Sequence, residues 1–303
     1  MLNQKTASRL KSEIAGQVRF NEPMNAHTSF HIGGPADALV VPADTEDIRK
    51  VLRIAQEDQC PFAVVGNGSN LLVRDKGIRG IVLKLGNALK HWEQKGDTFI
   101  FGSGVSLAQC CRIIADAGYT GMEFAVGIPG SLGGAVFMNA GAYDGEMKNA
   151  VVSVLAMTRS GKIKTMDRDE LQFSYRHSAL QGSDDIVLKV ILQLQKGDRT
   201  AIQAKMDDFS QRRISKQPLD IPSAGSTFKR PEGRFVGQMV EESGLKGFRI
   251  GGAEVSVKHA GFIVNADHAT AADVLQLIEF IQKKIMENYN VALVPEVLVL
   301  GEE

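Results

Sequence analysis

Between Gly127 and Gly145 the chain reads GIPGSLGGAVFMNAGAYDG, six glycines in nineteen residues. A glycine inside a helix or strand costs about 0.5–1 kcal/mol relative to alanine, because folding removes more of its backbone freedom. A stretch this dense is therefore expected to run as turns whose backbone lies close to another group, not as a regular core element. A second stretch of the same kind, GNGSNLLVRDKG over 66–77, follows the apolar run PFAVV. It fails as a dinucleotide fingerprint, since Leu71 stands where the third glycine would let a helix pack on its strand. Arg-Asp-Lys-Gly then breaks the chain, and GIRGIVLKL has the branched apolar composition of a strand, so no helix N-terminus is expected to meet a pyrophosphate there. Two glycines around Asn67, followed by Ser69 and Asn70, have the composition of an anion-binding nest; the same composition suits a ligand-free tight turn. Two such loops without a Walker lysine suggest a cofactor with a pyrophosphate and a flat ring, with a ligand-free multi-turn scaffold as the alternative.

At 303 residues the chain has room for two or three packed domains. Its 35 basic and 35 acidic residues cancel, which argues against broad nucleic-acid binding and leaves room for a local basic pocket. Cys60, Cys110 and Cys111 are odd in number and include an adjacent pair ill suited to a structural disulfide, so a reducing compartment, the cytoplasm, is the expected address. MLNQKTASRLKSEI carries charges throughout and no apolar core, so no signal peptide is expected, and no apolar run approaches a membrane span. The histidines fall in no HxH or HExxH spacing and no CxxC occurs, so no metal site is expected. Nothing in the chain points to an obligate protein partner.

Asp44 or Thr45 can cap a helix carrying Ile48, Val51, Leu52 and Ala55, and PFAVV then starts a strand. In SLAQCCRIIADAG, Ser106 and Gln109 have capping-box spacing and Gly118 can end the helix. IVLKL and DTFIFGSG read as strands, VVSVLAMTRSGKIKTMD as a hairpin turning at Ser160-Gly161, and DIVLKVILQLQKGD as a closing strand. This mixture is α+β, not a doubly wound sheet. The helix in DRTAIQAKMDDFSQRRISKQP stops before Pro218, and a boundary is expected near 198–206. The expected division is an N-terminal segment 1–24, a cofactor domain 25–197 with subdomains of about 25–85 and 86–197, and a C-terminal α+β domain 198–303. The last contains a short helix in RFVGQMVEESG, strands in AEVSVKHAGFIVN, a helix from Thr270 to Glu287 and a final strand VALVPEVLVL.

Within that final strand Glu296 is a lone carboxylate among apolar residues, costly unless paired, protonated or turned to water. Arg213 and Lys216, three apart on a predicted helix, can face one side, either as an anion site or as a solvated face. NAHTSFHIGG (25–34), GNGSNLLVRD (66–75), GIPGSLGGAVFMNAGAY (127–143), FSYRHS (173–178), AGSTFKRP (224–231) and VPEV (294–297) occur in this order. Six ordered motifs over nearly the whole chain resemble the UDP-N-acetylenolpyruvoylglucosamine reductase (MurB) family of peptidoglycan synthesis.

The resemblance implies an FAD-binding region of the vanillyl-alcohol-oxidase (PCMH) type in two subdomains, followed by a substrate domain. It implies that Gly66, Asn67, Gly68, Ser69, Asn70 and Leu71 cradle the FAD pyrophosphate. Gly127, Ile128, Pro129, Gly130, Ser131, Gly133 and Gly134 would continue that cradle toward the isoalloxazine. In the family's reaction NADPH reduces FAD, and hydride then passes to C3 of a nucleotide-sugar enolpyruvyl ether while C2 takes a proton. Charge builds on C2 and its carboxylate, where directed donors and a cation are worth several kcal/mol. Arg176 matches the family's catalytic arginine; by itself it reads more readily as a structural ion-pair residue. Ser226 matches the proton donor, and Glu296 the glutamate that helps to polarise the intermediate. Arg213 and Lys216 resemble the pair that contacts the substrate diphosphate, and Tyr175 is a further expected substrate contact. The short segment after Arg176 has no tyrosine-bearing insertion and is similar to the shorter, second type of the family. A flavin oxidase on the same scaffold with another substrate, or a flavin-binding module without turnover, would not need Arg176, Ser226 and Glu296.

Overall fold

Side-chain caps start the helices where Ser, Thr, Asp or Asn precedes an apolar period. In the computed structural model, which describes residues 2–303, Asp44 accepts from Asp47 N ahead of the helix Thr45–Glu57, and Ser106 accepts from Gln109 N ahead of Leu107–Asp116. Thr270 and Asp273 form a full capping box on Ala271–Tyr289. The chain makes two compact units from interleaved segments. One takes the chain up to Arg19 with 38–67 and 80–213; the other takes 20–37, 68–79 and 214–303.

The first unit is built on a five-stranded antiparallel sheet in the order Ile163–Asp167, Val151–Met157, Ile186–Gln193, Thr98–Gly102, Trp92–Lys95. The hairpin expected at Ser160-Gly161 is present, with Met157 opposite Ile163 and Gly161 at φ +77°. Its core collects Phe99, Phe101, Leu107, Ile114, Leu132, Val154 and Leu192, all essentially without solvent contact. Phe62–Val65 runs parallel to the strand Ile78–Lys84, Phe62 facing Ile81 and Val65 facing Lys84. The glycine-dense stretch departs from the expectation of turns alone, because Leu132–Phe137 is a six-residue helix containing Gly133 and Gly134. Gly133 is required there by close packing, not by chain reversal.

The second unit holds an antiparallel sheet ordered Ser223–Ser226, Phe262–Asn265, Ala253–Val255, Arg249–Ile250. The helix Ala271–Tyr289 contributes Val274, Leu277, Ile278, Ile281 and Ile285 to its core, together with Phe30, Leu72, Phe228 and Val297. The final strand is shorter than VALVPEVLVL suggested: only Leu298–Leu300 is strand, parallel to Leu71–Val73. Pro295 has no N–H to add to a ladder, and Glu296 N is used on Thr227 O at 2.8 Å, so pairing with Leu71–Val73 begins after Val297. Among the described residues no helix is long and apolar enough to cross a membrane. Mixed helices and largely antiparallel sheets make the fold α+β, as expected.

Candidate functional site

In the first unit, the glycine-rich segment is laced to the chain that leaves the strand Thr98–Gly102. Leu107 N donates to Gly130 O at 3.1 Å, Leu132 N to Val105 O at 2.8 Å and Gly133 N to Ser103 O at 2.9 Å. This approach leaves no room for side chains. A Cβ on Gly133 would lie 2.8 Å from Ser103 Cβ, one on Gly66 2.4 Å from Ser131 Oγ, and one on Gly127 2.6 Å from Arg213 Cδ. The Gly66 contact brings the first glycine turn against the second, and Ser131 Oγ accepts from Gly134 N at 3.4 Å.

Beside Gly133, Ser103 Oγ is buried without a hydrogen-bond partner. A buried hydroxyl left unpaired costs about 1–3 kcal/mol, so its placement in a backbone cradle fits a polar ligand there. Arg213 Nε is also buried and unpartnered. Burial pushes the Arg213 guanidinium pKa down, and the Tyr143 phenol is the group that favours its charge. A desolvated cation with this little compensation suits an anionic ligand. The Ser103 hydroxyl in its glycine cradle fits the pyrophosphate-bearing flavin that the sequence suggested, whereas Arg213 was expected at the diphosphate of the nucleotide-sugar.

Arg176 occupies a two-residue turn closed by reciprocal hydrogen bonds of 3.1 Å between Ser174 and His177. Its φ of +54° is a position usually taken by glycine or asparagine. Its Nη2 donates to Gly141 O at 3.0 Å, and its guanidinium carbon lies 4.9 Å from the centre of the Tyr175 ring. Tyr175 is about half exposed, at 49%. Cys110 and Cys111 are buried; burial lifts the first well above its ordinary value and the second to about 12, so neither is a thiolate nucleophile.

In the second unit, Gly68 has φ +67°, and a Cβ there would fall 2.0 Å from His27 O. Asn70 also acts as a clamp within this unit. Its Nδ2 donates to Glu296 O at 3.0 Å, and its own carbonyl accepts from Leu298 N at 3.0 Å. Leu71 begins the strand paired with Leu298–Leu300. Ser226 ends the strand Ser223–Ser226 opposite Phe262, after a bulge at Gly225 with φ +80°, and is exposed. Its neighbour Thr227 is buried and serves three partners: its N donates to Gly261 O at 2.9 Å, its Oγ1 accepts from Ile263 N at 3.0 Å, and its carbonyl accepts from Glu296 N. Thr227 thus brings Ser226 and Glu296, distant in sequence, to adjoining backbone positions. Lys216 is exposed, whereas Arg213 on the same helix is half-buried, so the two do not share one solvated face.

Sequence reasoning missed Ser103, Thr227 and the clamp role of Asn70. For Ser103 a signal existed in the flanking Gly102 and Gly104 of FGSG, a second close backbone approach. Thr227 sits unremarked in AGSTFKRP, and its partners lie more than thirty residues away.

Two family models match the chain: "FAD binding domain" over residues 36–167, and "UDP-N-acetylenolpyruvoylglucosamine reductase, C-terminal domain" over 217–300. The UDP-N-acetylenolpyruvoylglucosamine reductase of Syntrophomonas wolfei is 50% identical over 287 residues, 95% of this chain and 96% of the relative. That of Caldanaerobacter subterraneus subsp. tengcongensis is 48% identical over 288 residues, covering 95% of both chains. Among solved structures, the reductase from Thermus caldophilus superimposes with a TM-score of 0.81 at 33% identity, over 95% of this chain and all of that one.

Proposed function

The chain belongs to the UDP-N-acetylenolpyruvoylglucosamine reductase family, and on that premise we propose that it is the FAD-dependent enzyme that uses NADPH to reduce UDP-N-acetylglucosamine enolpyruvate to UDP-N-acetylmuramate for peptidoglycan. The observation that carries the reading is the glycine cradle around the unpartnered Ser103 hydroxyl, in a chain that retains Arg176, Ser226 and Glu296. Bound FAD supplies the relay of hydride from NADPH to the substrate's C3.

The chain's own residues do the rest. Backbone N–H groups of Gly66–Leu71 bind the FAD pyrophosphate, and Gly127–Gly134, with the Ser103 hydroxyl, hold the ring end. Arg176, permanently charged and fixed through Gly141 O, stabilises negative charge as it develops on the enolpyruvyl carboxylate. Ser226 Oγ gives its proton to C2. A serine hydroxyl is a weak acid, so this step relies on a strongly basic carbon and on exclusion of water. Glu296 helps to polarise the enolpyruvyl group, and its backbone, tied to Thr227 and Asn70, fixes where its side chain starts. Arg213, Lys216 and Tyr175 bind the nucleotide-sugar, the two cations meeting its diphosphate. A pathway fed by nucleotide-sugar and NADPH places the enzyme in the cytoplasm.

An anaerobic absorbance experiment tests this. Purified protein shows oxidised flavin bands; one equivalent of NADPH bleaches them and UDP-N-acetylglucosamine enolpyruvate restores them. Bleaching without recovery would remove the substrate assignment, and absence of flavin after reconstitution would remove the cofactor assignment as well.

A further inference from the structure

The conformation of Arg176 needs external support. A non-glycine residue at φ +54° costs about 1–2 kcal/mol, and it persists only where surrounding contacts fix it. Two side chains outside the assigned site supply such contacts. Asn139 is fully buried and uses its whole amide: Nδ2 donates to Ser174 O at 2.9 Å and to Glu146 Oε2 at 2.8 Å, while Oδ1 accepts from Lys148 N at 3.0 Å. Gln181 Nε2 donates to Arg176 O at 3.1 Å and to Phe137 O at 2.9 Å. The turn is therefore gripped at the carbonyl before Tyr175 and at the carbonyl of Arg176 itself. The guanidinium is gripped separately, by Gly141 O. All these anchors trace to the tail of the glycine-rich segment, residues 137–146, or to Gln181.

We propose that Asn139 and Gln181 are positioning residues for Arg176, holding its backbone in the left-handed turn so that its charge meets the substrate carboxylate. The proposal rests on the catalytic reading of Arg176 given above. Both amides donate to backbone carbonyls of the turn. Their loss is expressed as a misplaced cation and not as a lost binding contact. Misplacement by about 1 Å costs about 10²-fold in rate where orientation is the catalytic device.

The test uses the FAD-loaded enzyme and stopped-flow measurement of its two half-reactions, with thermal melting alongside. Gln181→Leu and Asn139→Ala are compared with Arg176→Ala and with Ser178→Ala. The last removes a 2.8 Å bond to the same Phe137 carbonyl and leaves both amide bonds to the turn in place, so it reports the loss of a neighbouring hydrogen bond. The proposal expects Gln181→Leu to slow the maximal reoxidation by substrate about 10- to 100-fold, with half-saturating substrate and reduction by NADPH each within about twofold. Asn139→Ala should behave alike; if it does not fold, the half-buried Gln181 decides the question. Equal slowing of both half-reactions, or a reoxidation rate no lower than that of Ser178→Ala while Arg176→Ala collapses, overturns the positioning role. Reoxidation at the wild-type rate in Arg176→Ala would overturn the catalytic reading of Arg176, and the inference with it.

Discussion

The glycine cradle of the first unit and the serine–glutamate brace of the second prepare for chemistry in opposite ways. In the cradle, side chains are missing where backbone must approach, at Gly66, Gly127 and Gly133, and polar atoms are left without partners, at Ser103 and Arg213. In the brace, the polar groups are used up: Thr227 engages three partners, Glu296 is tied at its N and its carbonyl, and Asn70 contributes both side chain and main chain. Deficits in hydrogen bonding mark where a ligand completes the protein. Satisfied networks mark where the protein must fix its own geometry before a ligand arrives.

Each half of that comparison can be broken separately. The largest effect is expected at the brace, where Ser226→Ala removes the proposed proton donor: substrate-driven flavin reoxidation should slow by about 10²–10⁴-fold, while NADPH reduction stays nearly intact in stopped-flow traces. Equal slowing of both steps would refute the serine's role. At the cradle, Gly133→Ala forces a Cβ to 2.8 Å from Ser103 Cβ, and the strain of about 1–3 kcal/mol should appear as roughly 10- to 100-fold weaker FAD binding on titration of apoprotein.

A smaller effect separates ligand-directed deficits from scaffold in the first unit. Asp47 is fully buried and accepts from Ala15 N, Gly16 N and Ala43 N. Burial pushes its carboxyl pKa up, but the three backbone donors outweigh this and hold it below its ordinary value. A depressed carboxylate contributes stability above its unfolded pKa of about 3.9 and loses it as pH falls through the folded value. Asp47→Asn should therefore cost about 1–3 kcal/mol in denaturant melts at pH 7, with the gap to wild type closing in acid and FAD affinity unchanged. The smallest effect concerns Arg176: Arg176→Gly should be more stable than Arg176→Ala by about 1 kcal/mol, because glycine accepts φ +54° freely, although both lose reoxidation.

Much of this was legible in the sequence where the determinant is local. Asp44 and Ser106 cap the helices predicted from them, Thr270 caps the helix that was expected to begin with it, and Gly161 turns the predicted hairpin. Glycine density located the cradle, though not its short helix, because the reason for Gly133 lies at Ser103, thirty positions earlier. The brace was legible only as isolated motifs. Asn70 and Glu296 are 226 positions apart, and no periodicity encodes a pairing of that span. Segments 20–37 and 68–79 belong to the second compact unit while their sequence neighbours belong to the first, whereas an expectation built along the chain keeps each domain contiguous, divided at 24, about 85 and near 198–206. Composition changes gradually along a chain; contacts do not.

The central claim is that flavin binding belongs to the cradle and proton delivery to the brace. The direct test is calorimetric titration of FAD into apoprotein of wild type, Gly133→Ala and Ser226→Ala. The account predicts that Ser226→Ala binds FAD as wild type does, within about twofold, while Gly133→Ala binds it at least about tenfold more weakly. Wild-type affinity in Gly133→Ala, or a loss in Ser226→Ala as large as that predicted for Gly133→Ala, would contradict it.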